Sequence, residues 1–172
     1  MRYVLILSTT AGLWGYNIGD TVKFVSLSPY RVVVTGRIKH YISAFGEHVI
    51  GKEVETAMEE ACKGTNIQVK EFTVAPQIDP KEGLPFHEWL VEFENSPDKI
   101  EQFAALLDKK MQKQNIYYED LIRGKVLRNL VITQVAPSAF YTYMKSIGKL
   151  GGQNKVPRLS NDRKIVDQLT RK

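Results

Sequence analysis

Hydrophobic periodicity changes character once along this chain, and the change falls in a glycine-bounded segment. Up to Thr35 the apolar residues come in short continuous or β-branched runs, Tyr3 to Leu7, Thr21 to Ser26 and Arg31 to Thr35, the last two separated by "LSPY". Runs of that length between turn residues predict three strands and a small antiparallel sheet. "GRIKHYISAFGEHVIG" then breaks the pattern with Gly36, Gly46 and Gly51, and beyond it apolar residues return at spacings of three and four. Sheet first and mixed helix and strand afterwards predict an α+β chain.

In the second part Val54, Ala57, Met58, Ala61 and Cys62 share one helical face, and Gly64 stops the helix. Asn66 to Val74 and Phe86 to Glu94 read as strands joined by "APQIDPKEGLP", whose prolines forbid regular structure. In the second of these strands Trp89, Val91 and Phe93 alternate with Leu90, Glu92 and Glu94, so one face is apolar and the other reaches water at its far end. "SPDKIEQFAALLDKKMQ" predicts a helix with Ser96 as N-cap, Pro97 at the first helical position, and Ile100, Phe103, Ala104, Leu107 and Met111 in line. A short helical piece from Tyr117 to Ile122, a strand from Asn129 to Val135 and a helix opened by Pro137 and ended by Gly148 follow. The order helix, strand, strand, helix, strand, helix predicts a ferredoxin-like split βαβ sandwich if "HYISA" or "EHVI" supplies an edge strand. The tail is a glycine-rich loop and a basic helix carrying Ile165, Val166 and Leu169.

The chain has 172 residues, room for one core or one and a half but cramped for a complete two-substrate enzyme. Its net charge of +5 suits an anionic ligand or simply solubility. Cys62 is the only cysteine, which excludes a disulfide framework and a cysteine metal cluster and fits a reducing, cytoplasmic setting. His40, His48 and His87 are too scattered to suggest a zinc site. The opening "MRYVLILS" is too short for a signal peptide, and no stretch approaches the roughly 20 apolar residues that cross a bilayer, so no membrane partner is expected.

Three stretches carry composition that local structure does not require. In "GYNIGD" the ordinary reading of Gly-Asp is a turn; the functional one is that Asp20, fixed at a strand end, accepts hydrogen bonds from the vicinal hydroxyls of a ribose. "TGRIKHYISAFGEHVIGKEVE" is either a hairpin with solvated charges or a hinge, in which Gly36 supplies freedom, Arg37 contacts phosphate or ribose, and "SAFGE" swings into an active site. In "GGQNKVPR" Lys155 is either a surface charge or a cation at the tip of a mobile loop, suited to balance charge when a carboxylate attacks a phosphate.

In this order, "AGLWGYNIGDTVKF", "SPYRVVVTGRIKHYISAFGEHVI", "NIYYEDLIRGKVL" and "GGQNKVPRL" resemble landmarks of the C-terminal portion of the auxin-responsive Gretchen Hagen acyl-acid amido synthetases, a family of adenylate-forming ligases. The resemblance covers nearly the whole chain. It implies activation of a carboxylic acid with ATP and magnesium to an acyl-adenylate, then transfer of the acyl group to an amine such as an amino acid. Carried onto this sequence, it implies that Asp20 binds ribose with Tyr16 beside the nucleotide, that Arg37 is the arginine at the hinge, and that Lys39 is the pivot. It further implies that Phe45, Gly46 and Glu47 face the acceptor after a domain rotation and that Lys155 is the catalytic lysine.

The same resemblance divides the chain into terminal strands of an adenylation domain at 1–36, a hinge at 37–40 and a mobile lid domain at 41–172. The Ser/Thr/Gly-rich phosphate loop and the adenine motif of the larger domain lie nowhere in these residues. The chain is therefore expected to be a fragment, inactive without its N-terminal adenylation domain and binding no cofactor tightly alone. Two other readings follow from the residues. One is a ferredoxin-like module for RNA or a small regulatory ligand, although nucleic acid is not expected as a partner because Trp89 and Phe93 sit on the core side. The other is a homodimer paired through orphaned N-terminal strands.

Overall fold

Three strands open the chain: β1 (Tyr3–Leu7), β2 (Tyr16–Leu27) and β3 (Tyr30–Arg37), paired antiparallel in the order β1-β2-β3. The computed structural model describes residues 3–37, 41–151 and 154–170. β2 is longer than its β-branched run, because "YNIGD" joins it: Asn17 faces Ile6 on one side and Asp20 faces Arg37 on the other. Gly19 has φ +82, which a residue with a Cβ seldom adopts, and Asp20 thus lies inside a strand just after a local irregularity rather than at the strand's entrance. This sheet has little core of its own. Val22 is buried, whereas Trp14 is 90 % exposed, Tyr30 79 % and Val34 63 %.

A two-stranded ribbon, β4 (Tyr41–Ile42) with β5 (Val49–Ile50), leads into α1 (Gly51–Cys62). β6 (Gln68–Gln77) and β7 (Phe86–Asn95) then pair antiparallel, α2 (Ile100–Gln114) and α3 (Ile116–Arg123) follow, and β8 (Val131–Gln134) returns parallel to β7. α4 (Ala139–Ser146) and α5 (Lys164–Thr170) complete the described chain. The class is α+β, and the expected order of helices and strands is present. The glycine-bounded segment does contribute strands, but they pair with each other as a separate ribbon, and β8 takes the place beside β7.

The β6-β7-β8 sheet is covered on both faces. Phe72, Val74, Trp89, Val91 and Ile132 point into the larger core with Val54, Ala57, Met58 and Ala61 of α1 and Phe103, Leu107 and Met111 of α2. Phe72 and Trp89 stack with ring centroids 5.5 Å apart. Each Val, Leu, Ile, Phe or Met side chain removed from water there stabilises the fold by about 1.5–3 kcal/mol. The opposite face, Ala75 and Leu90, packs against Phe140 and Met144 of α4 and Val166 of α5. Glu92 therefore does not reach water. Its carboxylate accepts from the backbone N–H of Ser138 (2.8 Å) and pairs with Lys70 (3.0 Å), serving the orphan amides at the start of α4.

α2 begins at Ile100, later than the Ser-Pro signature predicts. The Ser96 hydroxyl accepts instead from the Gln134 side chain of β8 (3.1 Å), tying the strand end rather than capping the helix.

Candidate functional site

Lys155 lies directly before a segment locked onto the sheet. Val74 N–H donates to Arg158 O (2.9 Å), Ser160 N–H donates to Val74 O (3.0 Å), and the Thr73 hydroxyl donates to Pro157 O (2.7 Å). Val156 and Leu159 are buried, and Leu159 pairs with Val74 as a parallel bridge along the free side of β6. Arg158 completes the anchorage: its guanidinium pairs with Glu55 and Glu71, donates to Phe72 O and lies 4.5 Å from the Phe72 ring centroid. Lys155 itself is exposed. It stands beside a segment whose backbone is bonded to β6.

Lys155 lines a cleft of about 920 Å³ with Thr35 of β3 on one side and Lys52, Glu55 and Arg158 on the other. The cleft joins the N-terminal sheet to the mixed α+β body. Thr35 is bonded across the sheet to Thr21 (3.1 Å between hydroxyl oxygens), the residue next to Asp20. Of the residues singled out from the sequence, Lys155 lines this cleft, while Asp20 and the exposed Tyr16 lie outside its lining. The backbone of Arg37 ends β3 opposite Asp20. Lys39 lies outside the described residues, as does most of the 37–40 hinge.

The loop between β4 and β5 holds Phe45, Gly46 and Glu47, and the three do not share one exposure. Gly46 is exposed with φ +90, Phe45 packs partly against the larger core, and Glu47 is fully buried. Glu47 turns inward because it is bonded there: one carboxylate oxygen accepts from the Phe45 N–H (2.8 Å) and the other contacts His87 Nε2 (2.9 Å). Its carboxylate thus cannot itself face an acceptor in this arrangement, and the surface of the loop is made by Ala44, Gly46 and His48. The far side of the loop is tethered as well, with the Ser43 N–H donating to the Asn161 side chain (2.9 Å).

Around Glu47 is a buried polar network that the sequence did not announce. Asn115, at the N-terminus of α3, donates to Glu47 O (3.1 Å) and to the Glu53 carboxylate (3.0 Å), and accepts from Tyr118 N–H (2.9 Å). Tyr118 stacks on His87 with centroids 5.1 Å apart, and its hydroxyl donates to Asp108 (2.7 Å), which also accepts from Leu130 N–H (3.0 Å). Burial raises the Glu47 pKa, but the bonds from His87 and from backbone N–H groups outweigh it and hold the carboxyl below its ordinary value. Burial, then the Asp108 charge, keep the Tyr118 phenol well above its own, so it remains a donor. Asn115 carries a local signal, an Asn before the helical run "IYYEDLIR", whereas nothing local to His87, Glu53 or Asp108 marks them as buried.

Trp89 and Phe93 are buried, so neither offers a face on which a base could stack. Among the described residues no helix is long and apolar enough to cross a membrane, and no group of three or more His, Cys, Asp and Glu side chains is placed to hold a metal.

Comparisons with known proteins agree with this construction. No curated protein sequence matches the chain. Solved structures do, among them "GH3.15 acyl acid amido synthetase", with a TM-score of 0.72 and 18 % identity over 98 % of this chain, and "AtGH3.15 acyl acid amido synthetase in complex with 2,4-DB", with a TM-score of 0.71 and 18 % identity over 98 %. They share the fold. This chain spans about a third of the length of each, 33 % and 32 %. The family model for the GH3 family central domain matches residues 1–37, and that for the GH3 family C-terminal domain matches residues 52–164, most of the chain. With the strands of the one leading into the mixed sandwich of the other, this chain belongs to the GH3 family.

Proposed function

We propose that the chain is the C-terminal part of an ATP-dependent acyl-acid amido synthetase, and that its cleft between β3 and the Lys155 segment is where it meets the nucleotide side of the reaction. The observation that carries this reading is the pairing of the two family matches with a cleft built from both matched parts. Lys155, Lys52 and Lys149 give that cleft a cationic lining suited to a polyphosphate, while the charge of Arg158 is taken up by Glu55 and Glu71. ATP supplies the adenylyl group that activates the carboxylic acid.

On this reading Asp20 accepts from the ribose hydroxyls, Tyr16 lies beside the nucleotide, and Arg37 contacts it from the end of β3. Lys155 balances the charge that develops as a carboxylate attacks phosphorus, and the bonded backbone at Pro157, Arg158 and Ser160 beside it supports that electrostatic role. We assign magnesium to no residue of this chain. Rotation about Lys39 then brings the Ser43–His48 loop to the acceptor amine, and the division at 1–36, 37–40 and 41–172 marks the strands, pivot and lid of that motion. A reducing cytoplasmic setting fits the single, half-buried Cys62.

Catalysis requires the remaining nucleotide contacts, because binding without phosphate positioning forfeits most of the rate enhancement. The test is ATP–pyrophosphate exchange across a panel of carboxylic acids. The chain alone gives none, and the chain joined to a GH3 adenylation body exchanges with at least one acid. Robust exchange by the chain alone, or none by the joined protein with any acid, would refute the proposal.

A further inference from the structure

The Ser43–His48 loop is held from inside by a pair of side chains that come from distant parts of the chain. Glu47 is fully buried and His87 is 1 % exposed, and they meet at 2.9 Å. The other oxygen of the same carboxylate receives the Phe45 N–H at 2.8 Å, so His87, through one carboxylate, reaches the backbone of the Phe45-Gly46 turn. Two left-handed residues flank Glu47, Gly46 at φ +90 and His48 at φ 48; the second costs conformational energy that only a specific restraint repays. Asn115 fixes the Glu47 carbonyl, while Tyr118 lies against the His87 ring and limits its movement.

We propose that His87 is a positioning residue for acyl transfer: through Glu47 it sets the backbone of the Phe45-Gly46 turn, the part of this chain that meets the acceptor amine. The acceptor half of this inference rests on the function proposed above; the clamp does not. His87 touches no reacting atom. It acts by keeping a buried carboxylate paired, since an unpaired one would turn toward water and take the turn with it.

The shape of glutamine allows a direct test. Its Nε2 reaches about as far as the histidine Nε2, whereas asparagine stops short, and both are neutral amides. His87→Gln and His87→Asn are compared by hydrogen–deuterium exchange at the Phe45 amide, referenced to exchange in β7. His87→Asn accelerates Phe45 exchange about tenfold or more relative to β7, and His87→Gln restores protection to near the parent value. If His87→Asn does not fold, Glu47→Asp, whose shorter side chain cannot reach both His87 and the Phe45 N–H, replaces it and shows the same selective acceleration.

In the joined protein His87→Asn lowers the rate of transfer to the amine about tenfold while pyrophosphate exchange is unchanged, and His87→Gln recovers the transfer rate. Equal Phe45 exchange in the Asn and Gln variants would overturn the clamp with the amido synthetase reading intact. Unchanged transfer beside altered exchange would overturn the positioning role. Absence of pyrophosphate exchange in the parent joined protein would overturn that reading, and the acceptor half with it, while leaving the clamp to the exchange data.

Discussion

Single side chains here differ in how many partners depend on them, and that number orders the expected costs. Asn115 serves three groups, two of them on the buried Glu47 and Glu53, so Asn115→Ala leaves a carbonyl and a carboxylate short of donors and destabilises by about 3 kcal/mol. Tyr118→Phe removes one donor from Asp108, which keeps Leu130 N–H and the Gln112 amide, and costs about 1 kcal/mol. Urea unfolding of the two variants checks the order, and a larger loss for Tyr118→Phe would contradict it. Glu47 and Glu92 also make the fold acid-sensitive. Both have folded pKa values below the ordinary glutamate value of about 4.3. The stability they contribute is thus fully present above that value and is lost as pH falls through their lower folded values. Urea midpoints are expected to be flat from pH 7 to about 5 and to drop below about 4, and Glu47→Gln with Glu92→Gln flattens that drop. The burial of Glu47 and Glu92 was illegible in the sequence because a glutamate in a glycine-containing loop or on the alternating face of a strand looks solvated, and its burial is set by partners tens of positions away. His87 illustrates this: its scatter from the other histidines argued against zinc, and said nothing about a carboxylate 40 positions earlier.

Elements were easier to read than their ends and pairings. The faces Val54, Ala57, Met58, Ala61 and Phe103, Leu107, Met111 emerged directly from helical spacing, because apolar burial imposes the period. The start of α2 did not, since whether Ser96 caps a helix or ties a strand depends on Gln134. The pairing of β4 with β5 stood open as one of two readings, the hairpin, and the edge pairing of residues 158–160 with Val74 was not legible. The last of these is the element beside Lys155. Leu159→Ala removes its buried anchor and lowers stability by about 3 kcal/mol, measured by urea unfolding, and it also loosens the position of Lys155. Lys155→Ala, an exposed change, shifts stability by less than about 0.5 kcal/mol. A Leu159→Ala protein as stable as the parent would mean that the segment is not held by this contact.

At the scale of the whole molecule the chain is uneven, with two packed cores in the body and a three-stranded sheet that exposes Leu27, Tyr30, Val32 and Val34, with Trp14 exposed in the β1–β2 connection. Such a surface is expected to seek cover. Sedimentation equilibrium should show concentration-dependent association of the chain, and Val32→Lys with Val34→Lys should abolish it while leaving unfolding of the body unchanged; a strict monomer at high concentration would argue against pairing. The two-part plan was legible from the ordered family landmarks, whereas the cleft between the parts was not, because nothing local to Thr35 or Lys155 records their approach. The account rests on that cleft. Its most direct test is ATP–pyrophosphate exchange by the joined protein carrying Lys155→Ala: a loss of about 100-fold or more with unfolding unchanged is predicted, and exchange at the parent rate would contradict it.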